Sequence, residues 1–421
     1  MNIRKTFFLS SFLFLLSFCH ATNYRALADP DFSPYIGSED LITARAVVQA
    51  IEYPLRKTFS SPRWWNFFPR TIELICFWWP LNEVAMVVQH EVFGHGYRIR
   101  SLDSKLAKVS GYQFNWPFPY GKGGGGTSFQ FDDQNMSTSR LLAIDIAGME
   151  ATAILSNRIR LKWLEDGRVN PLIASLYNDS HHDLTYYVLS LRDDSKIGDG
   201  HDVDSYVLLL NATYPFTRLS KSILKKRALI NFIDPFTYYA LWAQLRYLIR
   251  GKDTCLYGIP IRSYEYLPSV RLGLTPFGPE YFLENFLWKD HRPVYFYIKW
   301  GKNGKNQYWG LGMEMDEFLR KERYSLGFRF DGWYQPKILV SPGPVATIDV
   351  LEAQPDLLSP GYPENVLTQK RTGACLSMIA AYHMISRVFA YGQIGYKSIG
   401  FLPGESLSAS PIFRAGFQAR F

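Results

Sequence analysis

The chain has 421 residues, with 46 Lys and Arg against 38 Asp and Glu and an aromatic content of 16%. Its net charge of +8 is scattered rather than gathered into Lys/Arg blocks, which argues against a nucleic-acid surface and fits solvent or anionic lipid headgroups. Beyond residue 21 only Cys76, Cys255 and Cys375 remain, too few and too far apart for a disulfide scaffold.

The chain opens with a short basic stretch, Asn2-Ile3-Arg4-Lys5, followed by an apolar run from Thr6 to Phe18 and a small residue at Ala21. That pattern predicts a secretory signal peptide over residues 1–21. Export makes nucleic acid a still poorer partner.

Helical periodicity runs from about residue 40 to 250. One helix is expected from Asn82 to about Ser101, another from Ser137 or Ser139 to about Glu165. Asn170-Pro171 and Asp234-Pro235 each read as a cap with proline at the first helical position. Further helices are expected near 202–213 and 219–232. The most apolar stretch, Ile72 to Val88, is interrupted by Glu73, Pro80, Asn82 and Glu83, so it does not read as a membrane span.

Within the first predicted helix stands HEVFGHG, residues 90–96. Two imidazoles four apart share a helix face and can hold one metal ion, with an adjacent glutamate as general base. Here His90 and His95 are five apart, which turns them about 140° from each other on an ideal helix. A one-residue π-bulge, eased by Gly94, would bring them together; so would a helix end at Gly94. A third assignment makes Glu91 and His95 the ligands. The candidate third ligand is Glu150, because a carboxylate in the apolar stretch Leu141–Ile154 is costly to bury without a partner. Asp145 is its rival, and an ion pair with an arginine such as Arg98 is the alternative use of Glu150. Ala147 and Gly148 would allow close helix approach. Ser180-His181-His182-Asp183 and Asp199-Gly200-His201-Asp202 are competing clusters, and Asp199 or Asp202 could equally cap a helix. Five of the seven histidines beyond residue 21 fall in 90–201, which concentrates metal-ligating chemistry there. Gly121 to Thr127 lacks the residues of a phosphate loop and reads as a flexible loop, a flap over the cleft.

The motif resembles a zincin variant, and is similar to the His-Glu-Phe-Gly-His of site-two proteases. The resemblance implies a zinc peptidase: His90, His95 and Glu150 as metal ligands, Glu91 as catalytic base, zinc as cofactor and a peptide or protein as substrate.

From about residue 266 the period becomes two. Val294, Phe296, Ile298 and Trp300 alternate with tyrosine and lysine, and Phe413, Phe417 and Phe421 lie on the face opposite Arg414, Gln418 and Arg420. Strands with one bulky and one polar face suit a barrel whose bulky face meets lipid. About eight strands are expected. A long proline-rich connection, 335–371, and the connection 400–408 fall on one side, and the short turn at 386–387 on the other. This region resembles bacterial outer-membrane β-barrel proteins, whose last strand ends in an aromatic residue read by the assembly machinery. The resemblance implies outer-membrane lipid and that machinery as partners, with the helical domain in the periplasm. The expected fold is α+β: an N-terminal α-helical domain, 22–260, followed by a C-terminal antiparallel β-barrel, 261–421. Without chemistry at residue 90, the same chain would be a structural or interaction protein with a helical plug.

Overall fold

A computed structural model of the chain describes residues 23–132, 135–192, 201–214, 218–339, 363–385 and 387–420. The signal-peptide stretch 1–21, Asp199 and Gly200, connection residues 340–362 and Phe421 lie outside the described residues.

The fold is α+β, an N-terminal helical region followed by an antiparallel sheet. Eight long strands form a meander: β7 (Tyr264–Thr275), β8 (Gly278–Lys289), β9 (Arg292–Asn303), β10 (Asn306–Arg320), β11 (Tyr324–Pro336), β12 (Lys370–Ile385), β13 (Val388–Lys397) and β14 (Ser410–Arg420). Two further strands extend it to ten. The short β6 (Ile259–Ile261) joins β7, and β1 (Asn23–Ala28) joins β14. The strand β1 was not foreseen; its six residues pair in unbroken register with Ala415 to Arg420. Among the described residues β1 and β6 do not pair, so the ladder stays open at those edges.

The alternation places the bulky face outward. Ile298, Trp300, Trp309, Leu376, Ile394 and Phe413 are each about half exposed or more, while the intervening Tyr297, Lys299, Glu314, Ser377, Gln393 and Arg414 are buried. A soluble sandwich would reverse these faces.

The sheet curls tightly. β1 and β10 are five strand spacings apart, about 24 Å if flat. Yet Arg25 of β1 places Nη1 2.7 Å from Asp316 Oδ2 of β10. The concave face is filled by helix α4 (Ala147–Asp166), buried on nearly every side. Its cations meet carboxylates from the strands. Arg158 bonds Glu39, Glu314 and Asp316, and Arg160 bonds Glu284. Each guanidinium buried without such a partner would be strongly unfavourable. Helix α4 therefore occupies the sheet's own depth.

The other long helices among the described residues are α1 (Pro34–Thr58), α2 (Trp64–Arg100), α3 (Thr138–Asp145), α5 (Ala174–Leu189), α6 (Asp202–Thr213), α7 (Lys221–Ala228) and α8 (Pro235–Arg250). Asn170 does not cap α5 as expected. Its side chain accepts from the Leu172 amide in a turn, and the helix starts later. Helix α2 starts earlier than expected, at Trp64, and is continuous; its length and composition alone are those of a membrane-crossing helix, a test that core helices of soluble proteins also pass. Pro80 does not break it. The preceding turn, Glu73–Trp78, is π-helical, and the Cys76 carbonyl, denied a proline N–H, accepts from Tyr120 Oη at 2.7 Å. The residues around Gly121 turn between two strands, β2 (Ala107–Phe114) and β3 (Gly125–Phe131), a hairpin the sequence did not suggest.

Candidate metal centre

Residues Glu91–His95 form a π-helical turn inside α2. Its i→i+5 bonding sets residues five apart above one another. His90 and His95 therefore share a face, with Nε2 atoms 3.2 Å apart. The turn packs on the start of α4 through two glycines. A Cβ on Gly94 would stand 2.7 Å from the Ala147 carbonyl, and one on Gly148 2.1 Å from His90 Nε2. Neither position admits a larger side chain without displacing helix or imidazole.

The third donor is Asp202, at the start of α6. Its Oδ2 lies 3.1 Å from His90 Nε2 and 3.2 Å from His95 Nε2. His201, not Asp202, caps this helix: its Nδ1 accepts from the Asp204 amide, which frees Asp202 to turn inward.

The far sides of both rings are occupied. His95 Nδ1 donates to the Ile144 carbonyl at 2.8 Å. His90 Nδ1 donates to Asp183 Oδ2 at 2.8 Å, and that oxygen also accepts from Thr152 Oγ1. A neutral imidazole with its proton on Nδ1 has a bare lone pair on Nε2. Two such lone pairs and a carboxylate oxygen then face one another, which is repulsive unless a cation stands among them. Ligands of tetrahedral zinc at about 2.0 Å are about 3.3 Å apart, close to the three separations found. Without a cation the alternative is a proton on each Nε2. Against the cost of burial, Asp183 and Asp202 raise the pKa of His90, and Asp202 raises that of His95. The charged rings, again opposing burial, then hold the Asp202 carboxyl below the usual carboxylate range. A metal ion would take the place of those protons. The donor set fits a divalent metal.

Glu150 is not part of this set. Its Oε1 accepts from Arg98 Nη2 at 2.6 Å and from the Gly404 amide. The reason is local: α2 carries Arg98 past α4 at the level of Glu150, so the buried carboxylate finds a guanidinium. Asp145, its rival, stands near the centre with its carboxyl pushed well above the usual range, by burial first and then by the charge of Asp202. Of the competing histidines, His181 faces the Asn231 carbonyl and His182 the Thr237 hydroxyl, both within the core. From that cluster only Asp183 reaches the centre, as the partner of His90.

Glu91 is buried beside the donors, with Oε2 accepting from Thr127 Oγ1 of β3 at 2.7 Å. The hairpin thus covers the π-turn, as a flap would, but as strand rather than loop. Tyr187 stacks on His90 with centroids 5.4 Å apart. The signal for Asp202 in the sequence was the clustering of histidines and aspartates up to residue 202; nothing there distinguished ligand from cap. Comparison with protein-family models, curated proteins and solved structures finds no significant match.

Proposed function

We propose that the chain is an outer-membrane metal-dependent hydrolase, most simply a zinc peptidase, with the metal held by His90, His95 and Asp202. The observation that carries this reading is the meeting of three electron-pair donors whose other sides are fixed by Asp183 and Ile144. When bound, zinc would supply Lewis acidity, polarising a carbonyl and making water nucleophilic near neutral pH. Glu91, in the adjoining turn, accepts the proton released in hydrolysis, and Thr127 orients it. Thr152 and Asp183 keep His90 in one tautomer. Among the described residues β3 pairs only with β2, which leaves one edge on which an extended peptide could lie beside Glu91. Glu91→Gln keeps the size of the side chain but removes the base. It should retain metal and lose about 10²–10⁴-fold in peptide hydrolysis. A variant as active as wild type would overturn the role of Glu91.

The membrane part of the reading is supported by the half-exposed apolar outer face and the polar concave face, the inverse of a soluble sheet. We read the curled sheet as a barrel-like wall facing lipid, with the short turns at 290–291 and 321–323 at its periplasmic end and assembly by the outer-membrane machinery. Membranes washed with carbonate should retain the protein; recovery in the soluble periplasm would contradict this. The second reading, a structural protein with a helical plug, is favoured by the ion pairs of Arg158 and Arg160. Two pockets of about 40 Å³ inside the sheet leave room for little beyond ordered water. Activity and metal content decide between the readings.

A further inference from the structure

At the end of α2 remote from His90 lies a cavity of about 420 Å³, between the C-termini of α1 and α8 and the short strands β4 (Arg168–Val169) and β5 (Thr254–Cys255). Arg56, Lys57, Arg168, Arg246 and Lys252 line it, against one acid, Asp253. Arg56 has Glu52 one turn away at 3.9 Å, and the wall keeps an excess of cations over acids.

The ordinary use of such cations is to satisfy helix C-terminal carbonyls. Here another residue does that. The buried Arg70 donates to the Phe59 carbonyl at the end of α1 and to the Leu248 carbonyl of α8, at 3.0 and 2.9 Å. Arg70, rather than a lining cation, meets these two carbonyls.

The setting points to lipid. Leu55, next to Arg56, and Trp242 and Ile249, within a turn of Arg246, are exposed, as is Trp64 at the start of α2. Tryptophan and cations beside exposed apolar helix faces are the composition of a membrane interface. Arg70 and His90 are twenty residues apart on α2, about 30 Å along a helix, the thickness of a hydrocarbon core. Gly167, next to the lining Arg168, packs against His291 in a turn assigned above to the periplasmic end of the wall, so on that reading the cavity lies at that interface.

We propose that this cavity binds the phosphate-bearing headgroup of an anionic phospholipid, its acyl chains lying along the exposed faces of α1 and α8. The proposal rests on the membrane part of the reading above and is independent of the metal.

The test uses the full chain reconstituted with equal amounts of phosphatidylglycerol and phosphatidylcholine, with retained lipid counted by native mass spectrometry. Wild type should retain phosphatidylglycerol preferentially. The double variant R56Q/R246Q, and separately K57Q/K252Q, whose side chains are exposed, should lower that preference about thirtyfold, as expected for loss of two interfacial cations. The pair K302Q/K321Q makes the same charge change at exposed sites elsewhere and should leave it intact. Equal retention of both lipids by inserted wild-type protein, or an unchanged preference in both cavity variants, overturns the proposal. Displacement of the lipid by micromolar inorganic phosphate would mark free phosphate as the ligand and overturn it too. Failure of wild type to enter the bilayer would overturn the membrane reading itself.

Discussion

His90 Nε2 and His95 Nε2 stand 3.2 Å apart across a single π-helical turn. On a regular α-helix the same residues would diverge by about 140°. The inserted residue is thus what makes the pair convergent, and Gly94 and Gly148 let α4 approach closely enough to seat His90. The distance has meaning because neither Nε2 carries the proton in the neutral rings: Asp183 and the Ile144 carbonyl take both Nδ1 hydrogens.

Asp183→Asn tests that second point. An amide can meet His90 Nδ1 but does not favour the tautomer as a carboxylate does. Metal affinity should fall about 10- to 100-fold with the fold intact. Competition with a chelator of known affinity measures it, and unchanged affinity would remove Asp183 from the site.

Glu150→Gln separates the ion pair from the metal. Arg98 would lose its buried carboxylate, so thermal or denaturant unfolding should show a loss of about 3–5 kcal/mol. Metal content should not change. Loss of metal in this variant would restore Glu150 as a ligand.

Much of this arrangement was legible in residue order. Period-two alternation marks the strands because side chains alternate across a pleat, and the eight long strands follow it. The His90/His95 pair was legible because only a bulge or a helix end reconciles that spacing with one metal. The use of Glu150 was left open between a metal and an ion pair with an arginine such as Arg98, since a carboxylate in an apolar helix looks alike in either case; the structure selects the ion pair. Asp202 was hidden by its place at a helix start, where aspartate is ordinarily a cap. β1 is six residues long and pairs with the far end of the chain, a contact no local pattern encodes.

Acid should destabilise the chain through His182. Burial lowers its pKa from 6.5 to about 4, with the neighbouring His181 acting the same way. The folded state thus favours the neutral ring. Its stabilisation is complete above the unfolded pKa of about 6.5 and is lost as pH falls toward 4. Melting temperatures from pH 7.5 to 4.5 should fall more steeply for wild type than for His182→Gln. Parallel curves would contradict this.

The central claim is that His90, His95 and Asp202 hold a metal ion. Elemental analysis of the purified chain, alongside His90→Ala and Asp202→Ala, tests it most directly. The account predicts about one zinc per wild-type chain and almost none in either variant, with helix and strand content preserved by circular dichroism. Wild-type protein that binds no metal from a zinc-containing buffer, or an Asp202→Ala variant that keeps its zinc, would contradict it.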